Sequence, residues 1–123
     1  MDKLQIFRED AVVFSAQRFD ACLTVNAAAP IFAEHFPDYP IVPGACVIGF
    51  VGDCIALMKG TAVEAFAVSR VVFLEPIIPR LSLRLVIEKK SGGQSPGNQY
   101  SFRIHHEFIN YCRGVISLEG EGA

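Results

Sequence analysis

The chain has no surplus of basic residues. Across 123 residues, eleven Lys and Arg stand against thirteen Asp and Glu, a formal charge of -2. A nucleic-acid-binding face needs a cationic excess, so the composition argues against that class. There is no apolar leader, because Met1-Asp2-Lys3-Leu4 is followed by Arg8-Glu9-Asp10; a cytoplasmic protein is expected. There is also no uninterrupted run able to cross a bilayer. The longest apolar stretch, Ala45 to Met58, is broken by Gly49, Gly52 and Asp53, so no membrane insertion is expected. Cys22, Cys46, Cys54 and Cys112 form no CxxC pair and no cluster with metal spacing, so no metal site is expected and each thiol reads as a small buried hydrophobe. Neither an internal repeat nor a linker divides the chain, and residues 1–123 fit one domain.

What is present is a core. Half of the residues (51%) are hydrophobic and ten are Phe, which excludes disorder as the main state. Residues 11 to 25 read as one extended stretch, with Phe19, Ala21, Leu23 and Val25 alternating with polar neighbours. A loop follows from Asn26 to Pro43, stiffened by Pro30, Pro37, Pro40 and Pro43. Residues 44 to 59 read as a helix, opened by Pro43-Gly44 and closed by Lys59-Gly60. It is apolar nearly all round, which predicts a helix hidden in the interior. Four strands are predicted after it: 66–74, 81–88, 100–108 and 111–118, the last pair joined by a turn at Ile109-Asn110, with a frayed tail at 119–123. The sum is α+β, an antiparallel sheet curled over one long helix.

The chemistry concentrates in His35-Phe36-Pro37-Asp38-Tyr39-Pro40-Ile41-Val42-Pro43-Gly44. A helix N-terminus offers unpaired N–H groups and a partial positive charge, suited to a developing oxyanion. Neutral imidazole works as a base near pH 7. Together they suit proton abstraction beside a carbonyl, with His35 as base and the amide of Gly44 holding the enolate.

HFPxxPxxPG, met here at His35, Phe36, Pro37, Pro40, Pro43 and Gly44, resembles the signature of the 3-hydroxyacyl-acyl-carrier-protein dehydratases of type II fatty-acid synthesis. Val72 to Pro79 resembles the strand and Pro-bounded turn that follow the helix in that family. The resemblance implies the hotdog fold, a dimer with a shared site, and dehydration of 3-hydroxyacyl thioesters carried on acyl carrier protein or coenzyme A. It implies no metal or redox cofactor. It gives His35 the C2 proton, and it places the substrate at Pro43, Gly44, Ala45 and Gly49.

Two positions depart from the family. The helix acid, supplied by the second protomer, falls five residues after the Gly of the PG pair; here that residue is Gly49. Asp53, one turn later on the same face, is the sole carboxylate of the helix and reads either as a substitute acid or as a polar group near the protomer interface. Glu34 stands where the family has Gly, and reads either as a partner for His35 or as a solvated charge. Arg80, Arg84, Lys89 and Lys90 form the main basic grouping, read either as a receptor for an acidic carrier or pantetheine phosphate, or as a solvated strand end. Three functions stay open: a dehydratase; a hotdog thioester hydrolase using Asp53; or an acyl-binding subunit that pairs with a paralogue.

Overall fold

The computed structural model describes residues 5–34, 38–63, 65–90 and 98–118. In chain order the elements are β1 Phe7–Phe14, β2 Arg18–Val25, α1 Ile31–Glu34, α2 Gly44–Lys59, β3 Phe66–Phe73, β4 Ser82–Lys89, β5 Gln99–His106 and β6 Ile109–Leu118. All six strands form one antiparallel sheet in the order β1-β2-β4-β5-β6-β3. The expected α+β class holds, with the sheet curled over α2.

The core lies between the inner sheet face and α2. Period-2 alternation drives it: Phe19, Ala21, Leu23 and Val25 of β2, Leu83, Leu85 and Ile87 of β4, and Tyr100, Phe102 and Ile104 of β5 are all buried. They meet Val47, Val51, Cys54, Ile55 and Met58 of α2. Burying this apolar surface is the dominant favourable contribution to folding.

Several expectations need correcting. Residues 11–25 are not one strand but most of a hairpin. Ser15 breaks them: its Oγ accepts from the amides of Gln17 and Arg18 at 3.1 and 3.3 Å, a serine-stabilised turn. The loop between β2 and α2 carries α1, where the carbonyl of Pro30 accepts from Ala33 and Glu34; proline's fixed φ suits a helix start. The last turn lies at Glu107-Phe108, with Glu107 at φ 51, and Ile109 already pairs with His106. The expected frayed tail at 119–123 falls outside the described residues.

Helix α2 spans the expected residues, and its end follows the expected chemistry. Gly60 sits at φ 76 and its amide donates to Ala56 and Leu57. The helix is not hidden all round, however. Ala45, Gly49, Asp53 and Leu57, spaced four apart, form an exposed stripe. Among the described residues no helix is long and apolar enough to cross a membrane.

Candidate active site

The N-terminus of α2 is held from two sides. Before it, the amide of Val42 donates to the carbonyl of Ile77 at 2.8 Å, tying the proline-rich segment to the stretch after β3. Pro43 caps the helix in extended geometry with no side-chain cap bond. Its carbonyl takes the amides of Cys46 and Val47. Among the described residues nothing accepts from the amides of Gly44 and Ala45. They are the unpaired donors every helix start leaves, and the dipole adds partial positive charge.

Gly44 lines a recess of about 300 Å³ with Pro43, Val47, Phe73, Glu75 and Ile77. Its missing side chain is explained by packing. A Cβ there would lie 2.8 Å from Phe73 Cζ. The glycine lets the β3 aromatic close over the helix start, so its small size answers to Phe73 and not to a ligand alone. Glu75, which no sequence motif announces, also lines this recess.

Gly49 and Asp53 are brought together elsewhere, in an open groove of about 600 Å³ between α2 and β1. Cys46, Phe50, Cys54 and Leu57 line it from the helix, and Phe7 and Glu9 from the strand. The rings of Phe7 and Phe50 lie 4.8 Å apart and fix the strand against the helix. A Cβ on Gly49 would meet nothing within 4 Å. Glu9 is a second carboxylate here that no sequence motif announces. Cys54 shows the groove's chemistry: burial pushes its thiol well above the usual range, and the charges of Glu9 and Asp53 add to the effect. This cysteine is an inert thiol rather than a nucleophile.

Within one chain, then, Gly44 and Pro43 share one recess, and Gly49 and Asp53 share another. Ala45 is exposed on the stripe that carries Gly49 and Asp53. His35 lies outside the described residues, as do Phe36 and Pro37; Glu34 is exposed at the end of α1. Among the described residues no group of three His, Cys, Asp or Glu is placed to hold a metal ion.

The basic grouping predicted from neighbouring positions is altered by the fold. Arg84 is held by Asp20 through two bonds of 2.9 and 2.6 Å, and Arg84 keeps the Asp20 carboxyl below its usual value. Arg18 donates to Glu88 at 2.7 Å. Arg80, of the predicted grouping, has no carboxylate partner among the described residues, and neither do Arg70, Arg103 and Arg113.

A family model described as ApeI-like, ApeI dehydratase, matches residues 11–114. The chain is 32% identical over 88 residues to the 3-hydroxyacyl-acyl-carrier-protein dehydratase FabZ of Granulibacter bethesdensis, covering 64% of this chain and 50% of that protein. It is 30% identical over 95 residues to the FabZ of Clostridium perfringens, covering 72% and 63%. It therefore spans between half and just under two thirds of the length of these relatives. Among solved structures, the dehydratase heterocomplex ApeI:P from Xenorhabdus doucetiae superposes with a TM-score of 0.73 at 19% identity, covering 91% of this chain and 96% of that one. A hypothetical thioesterase with coenzyme A from Streptococcus pneumoniae gives 0.60 at 9% identity, covering 91% and 83%. These likenesses show a shared hotdog fold.

Proposed function

Because the chain belongs to the ApeI-like dehydratase family, we propose that it removes water from 3-hydroxyacyl thioesters on an acyl carrier protein or coenzyme A. His35 takes the C2 proton. The amides of Gly44 and Ala45 hold the thioester oxygen as negative charge builds on it. The C3–O bond then breaks, the C2=C3 double bond forms, and the hydroxyl leaves as water with a proton from an acid. The observation that carries this reading is the uncapped start of α2, with two unpaired amides immediately after the histidine-proline segment. Preorganised donors of this kind stabilise an enolate-like charge far better than water does.

The acid is the open question of the mechanism, and Gly49 frames it. On this reading a second chain pairs along the free edge of β3, where Val68, Phe73 and Leu74 are exposed. Its helix brings Asp53 toward His35 in a homodimer. A second reading is favoured by the empty space around Gly49: the chain lends His35 to a mixed dimer whose other subunit supplies the acid.

The test is hydration of a trans-2-enoyl thioester by the purified chain, followed by loss of absorbance of the conjugated thioester. His35→Ala is expected to lower the rate by about 10²- to 10⁴-fold, the usual weight of a positioned base. A comparable loss in Asp53→Asn supports the homodimer with Asp53 as acid. Activity only on adding a paralogous chain supports the mixed dimer. Hydrolysis of acyl-coenzyme A that survives His35→Ala, with no hydration, overturns the dehydratase reading in favour of a hydrolase.

A further inference from the structure

Glu75 takes no part in the proton transfers of the proposed reaction, yet it stands at the reacting end of α2. It lies just past the end of β3, exposed, and lines the same recess as Pro43 and Gly44. Among the described residues it is the one charged group on that recess, and no cation pairs with it. Its backbone is held on both sides. The amides of Leu74 and Glu75 both donate to the carbonyl of Tyr111, at 2.8 and 3.4 Å. Pro76 follows and disfavours helical geometry at Glu75, and the carbonyl of Ile77 accepts from Val42 at 2.8 Å. The stretch that carries Glu75 is thus fastened to β6 and to the segment that opens the helix. The other two carboxylates beside α2, Glu9 and Asp53, lie in the separate groove toward β1.

The charge has the wrong sign for helping an enolate. Negative charge building on a thioester oxygen at the amides of Gly44 and Ala45 is repelled by a carboxylate in the same recess. What the carboxylate does favour is discrimination in the ground state. A helix start with unpaired amides attracts anions of any kind, phosphates and free carboxylates included. A free acid carries the same acyl chain as its thioester and a charge that the thioester lacks. A fixed negative charge repels the first and leaves the second alone, and specificity set by repulsion needs no contact with the favoured ligand.

We propose that Glu75 makes the α2 recess selective for neutral acyl thioesters by repelling free carboxylates and other small anions from the amides of Gly44 and Ala45. That the favoured ligand is a thioester rests on the dehydratase reading; the exclusion of anions does not.

Crotonate and inorganic phosphate are titrated separately into the wild-type chain, Glu75→Gln and Glu75→Asp at neutral pH, with binding followed by the NMR shifts of the Gly44 and Ala45 amides. Glu75→Gln is expected to bind both anions about three- to tenfold more tightly than the wild type, a gain that shrinks with added salt. Glu75→Asp keeps the charge and stays close to the wild type. Equal affinities in the wild type and Glu75→Gln overturn the proposal, as does a gain that salt leaves untouched. Anions that bind neither protein overturn it too, since the helix start then attracts nothing that Glu75 has to repel. A lower melting temperature in Glu75→Gln with anion affinity unchanged means that the carboxylate only complements the helix dipole. Hydration of the uncharged N-acetylcysteamine thioester of crotonate is run alongside. Glu75→Gln is expected to leave KM within about twofold and to raise kcat about three- to tenfold, because the substrate is neutral and the transition state is not. A fall in kcat instead gives Glu75 a part in proton transfer and defeats the exclusion role. No hydration by the wild type defeats the dehydratase reading, while the anion titrations still decide the role of Glu75.

Discussion

The two sides of α2 use the same residue type for different reasons. On the side facing β3, Gly52 is buried and a Cβ on it would lie 2.8 Å from Phe66 Cε2; Gly44 meets Phe73 in the same way. These glycines let aromatic rings of the edge strand pack against the helix. On the outward side, Gly49 is exposed and a Cβ would touch nothing. An interior helix glycine costs about 1 kcal/mol relative to Ala, and at Gly49 no contact with the described residues offsets it. The difference teaches that the β3 side of the helix is set by folding, whereas the outward stripe is left open to something outside the chain.

Filling the open side chemically is the strongest way to break this contrast. Gly49→Glu sets a carboxylate where the family's acid falls, in space that is free to take it. On the dehydratase reading, hydration of an enoyl thioester by the chain alone is expected to rise by about 10²-fold or more, the usual weight of a general acid. A rate unchanged, with the variant folded by circular dichroism, removes Gly49 from the reacting centre.

Stability measurements sharpen the same contrast, because the two sides should respond with opposite signs. Gly52→Val forces a branched side chain into Phe66 and is expected to cost about 1–3 kcal/mol in urea unfolding, as overpacking does. Gly49→Ala is expected to gain up to about 1 kcal/mol from helix propensity alone. If Gly49→Ala destabilises instead, the outward stripe is already packed in solution, and the interface along it is tighter than the exposed surface suggests.

The sequence makes one side of this comparison readable and leaves the other obscure. Pro43-Gly44 and Lys59-Gly60 mark both ends of α2 because caps act locally. β2 declares itself because one face is buried and the other wet, and β4 does so over most of its length, although Val86 on its outer face is buried too. β1 does not: it is an edge strand in which Phe7 alone is buried, so no alternation is imposed on it. The exposed stripe of α2 hides for a related reason. Ala45, Gly49 and Leu57 are residues that normally fill a core, and composition cannot tell an apolar face covered by its own sheet from one left for a partner. Arg70, Arg103 and Arg113, which line one groove, are scattered in sequence and gathered only by strand register, whereas Arg84, which looks available beside Lys89 and Lys90, is taken by Asp20.

The smallest effect concerns the outer face of the sheet, which repeats the contrast in charge: among the described residues Arg18 and Arg84 on β2 and β4 are paired, whereas Arg103, Arg113 and Arg70 on β5, β6 and β3 have no carboxylate partner. His105 reports on the second group. Its imidazole is held below its ordinary value, by burial first and then by the positive charges of Arg103 and Arg84. The folded chain thus binds fewer protons there than the unfolded chain does near pH 6.5. The contribution of the neutral ring is fully present above that pH and is lost as pH falls through 6.5 toward the folded value. Arg103→Gln removes one charge and leaves the burial, so the His105 titration followed by NMR should move up yet stay below 6.5, and the acid-side loss of stability should shrink with it. A titration that does not move would mean that an anion already neutralises Arg103 in solution, and adding high salt to the wild type would then leave His105 equally still.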